Sequence, residues 1–370
     1  MMKDFSLKSL LNLNVLLVFG LLAIAIEWLG LLGGPHGNEV LVFAASALAI
    51  VPLAGVIGHA TEELSGRLGQ QIGGLVNATL GNAAELIITI LALNRGLTEL
   101  VKASIVGSIL GNLLLVLGLS LLLGGLKNGR QMFNRRQAGM TATLVVLSFI
   151  ALAIPSLFDI PLAEVGAQAT ELFFSEGIAL ILIVLYALYL VYTMREGASP
   201  TGHGEEQHEP TGSMSRSLGL LAAATVGIVV MSELLVGAVE PVTQQLGWTQ
   251  FFVGIIIVPI VGNVAEHLVA VQVAIKDKMD LSINIAVGSS LQIALFVAPV
   301  LVFISLLFEE QLLLVFSVYE LIALFAAVFV TALVSLDGET NWFEGAMLLA
   351  VYFILALAFF VLPGSTLVVH

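Results

Sequence analysis

Long apolar blocks separated by short polar breaks fill almost the whole chain. A helix of about 20 apolar residues crosses a bilayer. The blocks predict eleven such helices, near residues 10–32, 40–62, 72–94, 104–126, 138–157, 172–193, 217–239, 250–275, 282–308, 311–335 and 342–362. Lys3 and Lys8 precede the first block as they would in a signal peptide, but no small-residue cleavage site follows. The run is long enough to span, so it is read as a helix. The expected fold class is an all-α polytopic membrane protein.

Composition agrees with the pattern. Hydrophobic residues make up 59% of the 370 and charged residues 11%, where a soluble domain carries about a quarter charged. That much apolar surface needs the lipid bilayer as its partner. There are no cysteines, which removes disulfides, thiolate metal sites and thiol catalysis. A net charge of −13 excludes the basic face that a nucleic-acid partner needs.

Basic residues orient the helices. With the N-terminus cytoplasmic, loops on that side carry Lys3, Lys8, Arg67, Lys127, Arg130, Arg135, Arg136, Arg195, Arg216, Lys276 and Lys278, while the opposite side carries Arg95 and Lys102. Eleven against two is a strong positive-inside bias, and it places the C-terminus outside. A missed or extra helix would scramble the alternation.

Two short strings then stand out: Gly81-Asn82-Ala83-Ala84-Glu85 and Gly262-Asn263-Val264-Ala265-Glu266. Each puts a carboxylate inside an apolar run, at a cost of about 2.5–3.5 kcal/mol on insertion scales. Their offset, 266 − 85 = 181, also pairs Gly73 with Gly254 and Val106-Gly107-Ser108 with Val287-Gly288-Ser289. The chain therefore reads as an N-terminal helix (1–37), a five-helix repeat (38–195), a linker (196–215) and a second five-helix repeat (216–370). An odd number of helices per repeat makes the halves inverted copies, the architecture of many alternating-access transporters. The linker is Gly-, Pro- and Ser-rich and holds His203, Glu205, Glu206, His208 and Glu209. It reads as a solvated tether, with a weak cytoplasmic cation sensor as the alternative.

Three-residue spacing puts Asn82 with Glu85, and Asn263 with Glu266, on one helix face. Gly81 and Gly262 allow close backbone approach or a local break that exposes carbonyl oxygens. Pro259 gives the eighth helix a further reason to bend. Two carboxylates, two amide oxygens and backbone carbonyls form an all-oxygen set suited to a hard cation, Ca²⁺ before Mg²⁺. Buried carboxylates repel each other and are poorly solvated, so protons and metal compete for the same oxygens. The plainer alternative is that these polar groups only hydrogen-bond neighbouring helices. No cofactor is expected, because Ca²⁺ and protons are cargo.

Gly-Asn-Ala-Ala-Glu-Leu at 81–86 and Gly-Asn-Val-Ala-Glu-His at 262–267 resemble the paired signature of the calcium/cation–proton antiporters, and the likeness extends over nearly the whole chain, including His59-Ala60-Thr61-Glu62. The resemblance implies an inverted five-plus-five helix fold with Glu85 and Glu266 binding Ca²⁺ at its centre. It also implies that the second and seventh helices slide to open each side, with Glu62 and Glu240 along the ion path. Gln292 resembles a further polar position near the site. Glu63 and Glu233 are rivals of Glu62 and Glu240, and all four also read as charges at helix ends. Ser108 and Ser289 either line the cavity or allow close helix packing, packing being the simpler reading. His59 and His267 read as interhelical hydrogen-bonders or as participants in proton movement.

The leading function is Ca²⁺/H⁺ antiport that exports Ca²⁺ from the cytoplasm. The alternatives are a Na⁺-coupled Ca²⁺ exchanger, a Mn²⁺ or Na⁺/H⁺ antiporter and, further off, a cation channel. Asn-x-Ala-Glu in place of Ser- or Thr-rich repeats favours protons over Na⁺. No His-Glu-x-x-His helix or Walker loop is present, which argues against a metallohydrolase or an ATP-driven pump. A prokaryotic plasma membrane is the expected location, with a vacuolar membrane as the alternative. Monomer and homo-oligomer are both open.

Overall fold

A computed structural model describes residues 13–29, 38–164, 168–196 and 213–362. Lys3, Lys8 and the linker residues His203, Glu205, Glu206, His208 and Glu209 lie outside the described residues. The rest is almost entirely helical. In chain order the helices are α1 (Leu13–Leu29), α2 (Glu39–Leu80), α3 (Ala83–Asn94), α4 (Thr98–Asn128), α5 (Arg135–Glu164), α6 (Gln168–Glu196) and α7 (Met214–Gly237). A short α8 (Val239–Leu246) is followed by α9 (Gln250–Ile275), α10 (Met279–Ser305), α11 (Val318–Val334) and α12 (Trp342–Val361). Eight are long and apolar enough to cross a membrane, and α1, α3 and α11 contain shorter apolar helices. The eighth span of the sequence reading is therefore α9.

Two boundaries differ from expectation. The loop expected at 63–71 is helical, because α2 continues for 42 residues to Leu80. Gly66, Gly69, Gly73 and Gly74 signal a break, yet each glycine costs a helix only about 1 kcal/mol, too little to force one. At 1.5 Å per residue α2 is about 63 Å long, twice the hydrocarbon core. The chain then turns at Gly81-Asn82, and only the 12 residues of α3 carry on. The second difference is at 311–317, expected as helix but found irregular and largely buried. Hydropathy cannot distinguish a buried helix from a buried extended segment. Serine hydroxyls satisfy the backbone here: Leu312 N–H donates to Ser305 (2.8 Å), Leu314 N–H to Ser175 (3.2 Å) and Phe316 N–H to Ser156 (2.8 Å).

Three spans carry a π-helical turn, at Gly111–Val116 in α4, Val253–Ile257 in α9 and Ile293–Val297 in α10. The latter two end two residues before Pro259 and Pro299. Proline lacks an N–H and its ring crowds the carbonyl four residues back, and a wider turn relieves both.

The main apolar core gathers α4, α9, α10 and α11. A second small cluster of Ala54, Ile57, Ala84, Ala224 and Ile228 sits between α2, α3 and α7. The most extensive helix contacts are those of α4 with α9 and of α2 with α7. The crossing of α4 and α9 uses a glycine from each half: a Cβ at Gly107 would overlap the Ile255 carbonyl, and one at Gly254 would lie 2.8 Å from Leu100 O. Gly73, the repeat counterpart of Gly254, lies in α2. Strands β1 (Gln131–Met132) and β2 (Glu339–Thr340) pair antiparallel, joining the α4–α5 and α11–α12 connections.

Candidate functional site

The turn at Gly81-Asn82 starts α3, which puts Glu85 in its first turn, where the helix dipole favours negative charge. Asn82 occupies the N-cap position but makes no side-chain cap; its Nδ2 donates to Gln292 Oε1 of α10 at 2.6 Å. The helix start is thus given over to the site. Glu85 is buried, with 5% of its surface exposed. Ser108 of α4 donates to Glu85 Oε1 at 2.5 Å, and Asn263 of α9 donates to the same oxygen. Asn263 also donates to Ser108 Oγ at 3.3 Å. Gly262 makes room for this: a Cβ there would stand 3.1 Å from Glu85 Cγ.

Glu266, in the middle of α9, is half-buried and close enough to Glu85 to feel its charge. Ser289 of α10 lies close to its carboxylate, and Asn112 of α4 donates to Ser289 Oγ at 3.0 Å. The two repeat-related serines therefore each stand beside one carboxylate, Ser108 as a donor to Glu85. Glu85 Oε2 and Glu266 Oε2 are enclosed and make no hydrogen bond. An enclosed carboxylate oxygen without a partner is costly unless a proton or a cation completes it. His267 Nε2 is also enclosed and unpartnered.

The structure thus brings together Glu85, Glu266, Asn82, Asn263, Ser108, Ser289 and Gln292, with Gly262 beside them. Gly81 breaks the first signature helix as expected. Gly262 does not break the second, because α9 runs through it and the irregular turn lies upstream at Val253–Ile257. Glu62 and Glu240 are both exposed, Glu240 on the separate α8 and in contact with Gln244 (3.4 Å). Of their rivals, Glu63 accepts from Ser217 of α7 at 3.3 Å and Glu233 pairs with Arg95. His59 is exposed. Asn112 is the residue that sequence reasoning missed: the 181-residue offset pairs it with Ile293, so a search for repeated polar positions passes over it. Its position four residues after Ser108, one helical turn, was the available signal.

The sodium/calcium exchanger protein family model matches residues 38–195 and 216–361. The chain belongs to that family. It is 46% identical over 333 residues to the Ca(2+)/H(+) antiporter ChaA of Bacillus subtilis, covering 88% of this chain and 94% of the relative. It is 44% identical over 368 residues to a Ca(2+)/H(+) antiporter of Synechocystis sp., covering 94% and 97%. The solved structure of native YfkE superposes with a TM-score of 0.80 at 42% identity, covering 94% of this chain and 100% of that one.

Proposed function

We propose that the protein is a secondary antiporter that exchanges Ca²⁺ for protons at Glu85 and Glu266. The observation that carries this reading is the pair of enclosed, unpartnered carboxylate oxygens, Glu85 Oε2 and Glu266 Oε2, on neighbouring helices. Two relatives named as Ca²⁺/H⁺ antiporters, at 46% and 44% identity, support the choice of ions. Oxygen ligands from carboxylates and amides suit a hard cation whose coordination is flexible. Ca²⁺ draws on Glu85 and Glu266, with the amide oxygens of Asn82 and Asn263 in reach. When it leaves, the carboxylates take up protons in its place, because two bare charges cannot share an enclosed site. Ser108 and Ser289 orient the carboxylates in either state. Gln292 holds Asn82, and Asn112 holds Ser289.

Access alternates as the α2–α7 pair shifts against the remaining helices, in an inverted-repeat arrangement with the halves at 38–195 and 216–370. The bias of basic residues supports a cytoplasmic N-terminus, an external C-terminus and export of Ca²⁺ from the cytoplasm. Glu62 and Glu240 belong to the outer reaches of the path, where exposed carboxylates gather cations without binding them tightly. A prokaryotic plasma membrane is the proposed location.

Ca²⁺ uptake into proteoliposomes under an imposed pH gradient, with the membrane potential clamped, tests the reading. Uptake driven by the pH gradient and lost in Glu85→Gln establishes it. The family description favours one second reading, Na⁺-coupled exchange; uptake that needs a Na⁺ gradient and ignores pH would select it.

A further inference from the structure

At the end of α3 away from Gly81, Arg95 reaches across to α7. Its guanidinium pairs with Glu233 and also covers Gly237, one turn on, where a Cβ would stand 3.0 Å from Nη1. A side chain at 237 would displace the guanidinium, so this turn of α7 is shaped to receive it. The chain leaves the α7 axis immediately afterwards, at Ala238. Arg95 therefore grips the last turn of a helix seated chiefly on α2, where Leu53 fills the space over Gly227 (3.0 Å) and Glu63 accepts from Ser217, and which also meets α3 at Ala84.

Burial differs on the two sides of the carboxylates. Between Glu85 and Arg95, the residues on the same face of α3 (Ile88, Thr89, Ala92 and Leu93) are all buried. On the opposite side, six consecutive residues of α9 from 264 to 269, including Glu266 and His267, are each partly exposed. The face of α3 between Arg95 and Glu85 is thus packed throughout, whereas the stretch of α9 around Glu266 is less tightly covered.

We propose that Arg95 is a positioning residue whose pairing with Glu233 latches the far end of α7 onto α3 and keeps the ion site closed on that side. This rests on the exchange function above, in which that side is the outer one and α7 moves with α2. The ion pair crosses from the α2–α7 unit to the remaining helices, so it breaks when the unit shifts. Both side chains are partly exposed, 38% and 49%, so the pair is weak enough to break in every cycle. Its loss populates the outward-open state without touching the carboxylates.

The absence of native cysteine makes the test direct. Ala92→Cys, between the latch and Glu85, reports access from the outer side through its rate of reaction with a membrane-impermeant charged thiol reagent. A second reporter, Ile88→Cys, lies one turn deeper. In either background Arg95→Gln or Glu233→Gln raises outer-side labelling about two- to fivefold, the range an exposed ion pair supports. The charge exchange Arg95→Glu with Glu233→Arg returns it toward the parent rate. Unchanged labelling in both single variants, or no recovery in the exchange, overturns the latch. Proton-driven Ca²⁺ uptake in the same vesicles separates the two proposals. Labelling that responds while the parent shows no proton-driven uptake supports the latch and overturns the exchange reading.

Discussion

Asn263, from the second half of the chain, donates its side-chain amide to Glu85 Oε1 in the first. The carboxylate that opens α3 is therefore completed by the signature of the other repeat, and neither half holds a finished site. A hydrogen bond to a charged group is worth about 1.5–3 kcal/mol. Asn263→Ala is expected to weaken Ca²⁺ binding roughly 10- to 100-fold. Isothermal titration of the detergent-solubilised protein measures it, and an affinity within a factor of two of the parent would remove Asn263 from the site.

Glu85→Gln and Glu266→Gln remove the charges while nearly keeping the volumes. Each is expected to abolish transport and leave expression, monodispersity and helical content unchanged. Flux near the parent level in either variant would refute the paired-carboxylate site.

Competition between Ca²⁺ and protons sets the direction of the pH effect. At low pH the carboxylates are protonated, and a cation must displace those protons to bind. Apparent Ca²⁺ affinity is therefore expected to tighten as pH rises, by about tenfold per unit for each proton released, and to level off once both groups are ionised. Equal affinities across the range from about pH 5 to 9 would contradict a shared set of oxygens.

Asn112 donates to Ser289, which lies close to the Glu266 carboxylate. Asn112→Ala is expected to lower Ca²⁺ affinity several-fold, less than Asn263→Ala, since an indirect neutral hydrogen bond contributes about 0.5–1.5 kcal/mol. Ser289→Ala in the same background should then add little, because the two share one chain of contacts. Full additivity in the double variant would separate them.

Glycine spacing sets the approach of α4 to α9. Gly107→Ala drives a methyl group into the Ile255 carbonyl and is expected to cost about 1–3 kcal/mol, read as a lower melting temperature in detergent. Gly58→Ala, in α2 with nothing within 4 Å, should be neutral or mildly stabilising. Equal melting of the two variants would show that the crossing can relax.

The repeated signature and both carboxylates were legible because burying charge in an apolar run is costly, and doing so twice at one register is a strong signal. Gln292 was legible through family resemblance. Ser108 and Ser289 were visible as a repeated pair, but their task was not, because only the fold shows Ser108 donating to Glu85 and Ser289 standing beside Glu266. Asn112 was hidden because the two halves have diverged there, to Ile293. The length of α2 was hidden because glycine discourages a helix without forbidding one. The irregular segment before α11 was hidden because serine side chains, distant in sequence, replace the helical hydrogen bonds that its hydropathy suggests.

The small pairing of β1 with β2 has a consequence for selectivity. Beside it, Gln131 Nε2 binds Ala274 O (2.9 Å) and Asp277 Oδ1 (2.8 Å), so one strand residue also ties down the end of α9. The ends of α4, α9 and α11 and the starts of α5 and α12 are thereby sewn into one frame, and two of those helices, α4 and α9, contribute directly to the ion site. On the proposed exchange mechanism, discrimination between cations would reside in that frame, whose ligand spacing is set when the protein folds. The α2–α7 pair would then govern when an ion enters and toward which compartment it leaves. Choice of ion and timing of release are thus carried by different helices, and substitutions in one set should leave the other property largely intact.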